Sequence, residues 1–242
     1  MRVLAIDAGN TRVKWAAGDG AGWQAQGAVA TASAGELGAA LAPLAAPERV
    51  IVANVAGEAV AGHIGAAVAR WGATPQFLVS AAAQCGVTSS YDDPAQLGPD
   101  RWAALIGARH LFGRAAVVVN AGTALTVDAL SGDGVFLGGM IVPGLALMQE
   151  ALARNTAGLP LARGAFRYFP ANTDDAIASG AINAACGAIE RMARFLAETG
   201  GEVPLVVLSG GGAPALAPQV AGEVATVDNL VLEGLARIAR EG

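Results

Sequence analysis

Two short polar turns, about half the chain length apart, constrain this 242-residue chain more than any other feature. Asp7-Ala8-Gly9-Asn10-Thr11 closes the apolar run Val3-Leu4-Ala5-Ile6, and Asn120-Ala121-Gly122-Thr123 closes Val117-Val118-Val119. In both places β-forming residues end in a polar residue, a glycine and a threonine, and a second strand-like run follows. Such a turn points its backbone N–H groups outward. Two of them facing each other make a concave anion site. Duplication on this scale fixes the architecture before any detail does. It implies two similar halves that clasp the phosphates of a nucleotide.

The pattern between the turns fills in those halves. Residues 1–7, 12–17 and 23–29 read as strands, with Gly18-Asp19-Gly20 as a hairpin turn. Ser33 and Glu36 have the spacing of a capping box for a helix over about 34–46, shortened by Pro43. Strand 49–55, helix 58–71 and strand 76–80 complete a β-β-β-α-β-α-β half. A polar loop through Tyr91-Asp92-Asp93-Pro94 leads to a helix that opens at Gly98-Pro99-Asp100. The second half repeats the start with strands at 115–120, 124–130 and 135–142 and a turn at Ser131-Gly132-Asp133-Gly134. Helices at about 145–154 and from Thr173 follow, the latter capped by Asn172 with Asp175 three residues on. A strand at 205–208 runs into Ser209-Gly210-Gly211-Gly212, and a last helix spans about 229–240. The chain is thus α/β in class, divided into 1–113 and 114–242, with no long linker between the halves.

Composition narrows the function. Charged residues make up only 14%, net charge is −5, and no basic cluster occurs, so nucleic acid is not an expected partner. No run approaches the ~20 apolar residues of a membrane span, and the apolar N-terminal run is too short for a signal peptide. Membrane association is therefore not expected, and the location expected is cytoplasmic. Cys85 and Cys186 are isolated, which fits reduced thiols, and with only two histidines a zinc site is not expected.

Three constellations could carry chemistry. A carboxylate ending an apolar strand, as Asp7 does, is costly unless it meets a cation or hydrogen-bond donors. Asp7 either orients Mg²⁺ beside nucleotide phosphates or caps its own turn. In the first case Asn10, Thr11 and Lys14 reach phosphate oxygens; in the second Lys14 is a solvated strand residue. At Gly98-Pro99-Asp100-Arg101, Asp100 is favoured in a first helical turn by the dipole alone (~0.3–1 kcal/mol), but Arg101 is a cation at the positive end. That placement suggests an anionic partner gripped at two points, with Asp100 accepting a proton from a hydroxyl of the same substrate. The competing reading pairs Arg101 with Asp92 or Asp93. Finally, Gly210-Gly211 after a strand lets backbone approach a flat ligand such as adenine, although glycine runs often just end strands.

The motifs Asp7-Ala8-Gly9-Asn10-Thr11, Gly98-Pro99-Asp100-Arg101, Asn120-Ala121-Gly122-Thr123 and Asn172-Thr173 occur in the order seen in type III pantothenate kinases. Over nearly its whole length the chain resembles that family. The resemblance implies two duplicated ribonuclease-H-like domains of the actin-like ATPase superfamily with a nucleotide cleft between them. It implies phosphorylation of pantothenate by ATP to 4′-phosphopantothenate, the first step of coenzyme A synthesis, in a homodimer. It further implies a first phosphate loop of Asp7, Ala8, Gly9, Asn10, Thr11, Arg12, Val13 and Lys14, a second at Gly122 and Thr123, and ATP bound with Mg²⁺ near Asp7. Asp100 matches the general base; Gly98, Pro99, Asp100 and Arg101, with Tyr91 and Thr173, match pantothenate-binding positions. Pantothenate also suits the residues read independently, since it has a carboxylate for Arg101 and a primary hydroxyl for Asp100.

One position departs from the pattern. Members commonly carry Asp where this chain has Asn120, and that Asp helps hold the K⁺ or NH₄⁺ many of them need. A neutral amide weakens such a site, so dependence on K⁺ or NH₄⁺ is expected to be slight. Two rival readings remain at this level: another small-metabolite kinase of the superfamily, and a nucleotide-binding regulator without turnover. A polyol substrate would leave Arg101 unexplained, and a pure binder needs no base at Asp100.

Overall fold

The computed structural model describes residues 1–19, 22–161 and 163–241. The hairpin turn expected at Gly18-Asp19-Gly20 falls at Gly20 outside these residues. By internal contact the chain forms two units, Met1–Phe112 with Asn229–Gly242, and Gly113–Asp228.

The first unit opens with an antiparallel meander of β1 (Val3–Ala8), β2 (Arg12–Gly18) and β3 (Trp23–Ala30). After α1 (Leu37–Ala40) the chain returns as β4 (Arg49–Asn54), parallel to β1; after α2 (Glu58–Ala69) it adds a short β5 (Gln76–Phe77), parallel to β4. The sheet order is therefore β3-β2-β1-β4-β5. Central β1 is covered on both faces, which is why Val3-Leu4-Ala5-Ile6 reads as an unbroken apolar run and is at most 2% exposed. The helix expected over 34–46 is reduced to α1. A 3₁₀ segment, Thr31–Glu36, occupies its start, kinked at Ser33, and no side chain caps it, so the Ser33–Glu36 capping box does not form.

Where the sequence suggested only loop, a hairpin of β6 (Ala83–Gln84) and β7 (Val87–Ser89) turns through Cys85 (φ 51°) and Gly86 (φ 77°). Two successive left-handed residues are what a tight hairpin turn requires, and the pattern hid it because Cys85 is not a usual turn residue. Helix α3 (Pro99–Phe112) follows, with Trp102, Leu105 and Ile106 fully buried. Each such side chain contributes on the order of 1.5–3 kcal/mol by leaving water.

The second unit repeats the plan. Strands β8 (Ala116–Ala121), β9 (Ala124–Leu130) and β10 (Val135–Pro143) form the meander, interrupted by a bulge between Phe136 and Gly138. Then come α4 (Leu145–Asn155), α5 (Thr173–Gly200), β11 (Leu205–Ser209), α6 (Ala213–Leu216) and β12 (Val224–Thr226), with β11 parallel to β8 and to β12. Its strands run β10-β9-β8-β11-β12, the same order as in the first unit. Both units are thus ribonuclease-H-like, and the duplication read from two turns extends to the order of five strands in each. Asn172 caps α5 by accepting the Asp175 N–H at 2.8 Å, and Gly201 (φ 73°) ends it. Between α4 and α5 lies an apolar groove of about 1070 Å³ lined by Met148, Leu152, Leu159, Ile177 and Thr173 among others.

The chain ends in α7 (Leu230–Glu241), which packs in the first unit against α3, β1 and β4. Sequence order would leave this helix with the second half. Three contacts hold it in the first: Trp23 Nε1 donates to Glu233, Arg49 Nη1 donates to the Ala239 carbonyl at 3.0 Å, and Gly234 lies against α3. A Cβ on Gly234 would come within 1.7 Å of the Ala103 carbonyl oxygen, so the two helices touch backbone to backbone there.

Candidate functional site

Two turns and one helix start concentrate the polar groups of the first unit. Asp7 is the penultimate residue of β1, paired in register with Lys14 on β2 and Ala53 on β4. Gly9 N–H donates to the Arg12 carbonyl at 3.0 Å, so backbone closes the turn and the Asp7 carboxylate is not spent on capping it. Thr31 Oγ1 donates to the Gly9 carbonyl at 2.7 Å and the Thr31 N–H to the Thr11 carbonyl at 3.0 Å. Those bonds fix the loop while Asn10, Thr11 and Arg12 stay exposed. Ala8 and Val13 are fully buried, so any part they take in binding anions is through the backbone.

The start of α3 lies close enough for its charge to be felt at Asp7. Burial, and secondarily the negative charge of Asp100, push Asp7 up to about 7, against a smaller pull from Lys14. Asp100 is also raised, by burial first, while the Arg101 N–H and guanidinium oppose the rise. The Asp100 Oδ1 accepts the Arg101 N–H at 2.9 Å. Arg101 itself is only 6% exposed, and its Nη1 donates to Tyr91 Oη at 3.4 Å. Of the acids suggested as its alternative partners, Asp93 accepts the Ala95 N–H at 3.1 Å and so caps the turn at Pro94–Gln96. Pro99 supplies the first residue of α3, where a missing N–H costs nothing.

Three side-chain bonds from residues 80–91 hold this helix start. Ser80 Oγ donates to the Leu97 carbonyl at 2.7 Å, the Trp102 Nε1 donates to Gln84 Oε1 at 2.9 Å, and Tyr91 receives Arg101. Ser80 and Gln84 carried no signal in the sequence, because the hairpin that places Gln84 was not legible there.

In the second unit, Asn120 on β8 pairs with Thr126 on β9 and Ser209 on β11. Gly122 and Thr123 are exposed, and the Gly122 N–H donates to the Ala124 carbonyl at 3.0 Å, closing a turn one residue shorter than that from Gly9 to Arg12. Gly210 has φ 92°, and a Cβ there would lie 2.6 Å from the Ala121 carbonyl oxygen and 2.8 Å from Asn120 Oδ1. The strand end bearing Gly210 and Gly211 is thereby pressed against the 120–123 turn. Thr173 is the exposed first residue of α5, on the groove between α4 and α5. Asp128, 1% exposed in β9, is a carboxylate the sequence reading passed over. Its signal was the one that marked Asp7, an acid inside an apolar strand.

Burial raises both cysteine thiols, Cys85 to about 12 with the neighbouring Glu241 adding to the rise and Cys186 to about 11, and neither forms a disulfide. Among the described residues no helix is long and apolar enough to cross a membrane.

Known proteins bear on this arrangement at every level. The chain is 49% identical over 239 residues to a type III pantothenate kinase of Nitrosospira multiformis, covering 99% of this chain and 91% of that one. It is 52% identical over 239 residues to the type III pantothenate kinase of Aromatoleum aromaticum, covering 99% and 98%. Among solved structures, the inorganic polyphosphate/ATP-glucomannokinase of Arthrobacter sp. strain KM aligns over 100% of this chain and 99% of its own, with TM-score 0.51 and 15% identity, a likeness of fold alone. A sequence profile of the type III pantothenate kinases matches residues 3–194, and with relatives this similar over nearly its full length the chain belongs to that family.

Proposed function

We propose that Asp100 is the general base and Arg101 the substrate clamp of this kinase, which phosphorylates pantothenate with ATP in coenzyme A biosynthesis. Arg101 grips the pantothenate carboxylate with charge-assisted hydrogen bonds, and Tyr91 steadies the guanidinium. The primary hydroxyl gives its proton to the Asp100 carboxylate as its oxygen bonds to the γ-phosphorus, and the bond to the β-γ bridging oxygen breaks to release ADP. Such a transfer rests mostly on positioning and charge stabilisation. The Asp7–Lys14 turn and the turn at Gly122-Thr123 offer N–H groups to the phosphates, and Gly210-Gly211 offer backbone to the adenosine side. Pro99 and Thr173 complete the pantothenate-binding set, with Gly98 contributing through its backbone alone.

The observation that carries this reading is that two buried carboxylates, Asp7 and Asp100, lie near enough for the charge of Asp100 to help raise the pKa of Asp7. Asp100, shielded from water, is a stronger base than an exposed carboxylate. Asp7, buried beside another acid, is a carboxylate short of positive charge, which suits Mg²⁺ brought with ATP. When bound, Mg²⁺ neutralises charge on the phosphates. Asn120 supplies only an amide oxygen to a K⁺ or NH₄⁺ position and lends it no negative charge, so dependence on those ions is weak. The apolar groove of the second unit, with Tyr168 and Phe169 exposed nearby in sequence, supports assembly of two copies as a homodimer. A cytoplasmic enzyme fits the two free thiols.

The test is direct. Incubated with Mg-ATP and pantothenate, the protein is expected to yield 4′-phosphopantothenate by mass spectrometry, and Asp100→Asn is expected to lower kcat by ~10²–10⁴-fold with a modest change in KM. An Asp100→Asn variant of near-normal turnover would show that Asp100 is not the base.

A further inference from the structure

Gly98 precedes α3, and its carbonyl accepts the Trp102 N–H at 3.0 Å as the helix begins. Its φ lies outside the left-handed range, so its backbone conformation does not call for glycine. What does is a side chain. A Cβ at this position would lie 2.6 Å from Asp100 Oδ1, with Asp100 Cγ at 3.8 Å and Arg101 Cδ at 4.0 Å the next nearest atoms. The Oδ1 is the atom that accepts the Arg101 N–H, so the carboxylate is folded back over Gly98 and occupies the space a Cβ would fill.

We infer that Gly98 is a positioning residue for Asp100, its missing Cβ being the seat of the carboxylate; this rests on the reading of Asp100 as base. The backbone on either side is held. The Leu97 carbonyl is bonded to buried Ser80, the Leu97 side chain is 1% exposed, and fully buried Trp102 is bonded to Gln84. An added methyl group therefore displaces the carboxylate, which turns on two torsions, rather than the chain. Rotation breaks the bond from the Arg101 N–H and moves the base away from the substrate hydroxyl.

The experiment is a double-mutant cycle of Gly98→Ala and Asp100→Ala, with Asp100→Asn alongside. Alanine is used at position 100 in the cycle because asparagine keeps an Oδ1 and hence the clash. Gly98→Ala alone is expected to lower kcat by ~10²-fold, the scale of an ångström's misplacement, with pantothenate KM changed far less. The pH dependence of its kcat is expected to shift as the carboxylate leaves its shielded position. In the Asp100→Ala background the same change is expected to alter the residual kcat by less than about twofold, since independent sites add and coupled ones do not. Equal losses in both backgrounds, or wild-type turnover in Gly98→Ala, overturn the inference while leaving Asp100 as base. Near-normal turnover in Asp100→Asn removes the base assignment and this inference with it. If Gly98→Ala does not fold, the double variant decides: folding supports a clash with the carboxylate alone, and failure shows that the backbone needs the glycine.

Discussion

Asp7 should destabilise the ligand-free protein at and above neutral pH. In the folded chain it ionises at about 7 against 3.8 for an unburdened aspartate, chiefly because it is buried and then because Asp100 is negative. A carboxylate raised on folding binds more protons in the native than in the unfolded chain between those two pH values. Stability attributable to it therefore falls as pH rises through that window and levels off above about 7. Three pH units at about 1.4 kcal/mol each give a penalty on the order of 4 kcal/mol at pH 8, and coupling to Asp100 spreads part of it over both groups. Asp7→Asn keeps the shape and removes the charge. Its denaturant midpoint, measured without nucleotide across pH 4.5 to 8.5, is expected to approach wild type at the acid end and exceed it increasingly toward pH 7. The same variant is expected to lose most kinase activity, since a carboxylate costly to the empty fold is what a cation beside the phosphates calls for. A stability difference that does not change with pH, or a less stable variant at pH 8, would refute the argument from burial.

Other outcomes follow from the same geometry. Arg101→Ala is expected to raise the pantothenate KM by about 10- to 150-fold, the equivalent of ~1.5–3 kcal/mol for lost charged hydrogen bonds, with ATP KM little changed; steady-state kinetics in each substrate checks it. Turnover in Na⁺, K⁺ and NH₄⁺ buffers is expected to differ by less than about twofold, whereas Asn120→Asp should acquire activation by K⁺. Strong K⁺ activation of the unaltered chain would overturn the reading of Asn120. Light scattering on the purified protein is expected to give the mass of two chains, and the mass of one would remove the homodimer.

How much of this was legible in sequence depends on whether the cause was local. The turns after β1 and β8 announced themselves because a polar residue, glycine and threonine at the end of an apolar strand are a local signature, and five strands of matching order stand behind each. The Asn172 cap was legible for the same reason, with both partners within four residues. Ser33 and Glu36 had that spacing too, yet the 3₁₀ segment from Thr31 claims those residues, because the Thr31 side chain and N–H reach back to the first turn. A contact across 22 residues overrode a pattern spanning four. Gln84, Ser80 and α7 fail in the same way: each is placed by a partner distant in sequence, Trp102, Leu97 and Ala103 respectively. Gly98 stands between these cases. Its motif was readable, and so was the proximity of Asp100 two residues on, but no spacing rule says that the carboxylate folds back rather than out. That depends on the Arg101 N–H donating to it in the first turn of a helix, which is a property of the folded chain. The residues nearest the chemistry were found because their types are unusual for their places; the groups that hold them still are ordinary residues, and only the structure distinguishes them.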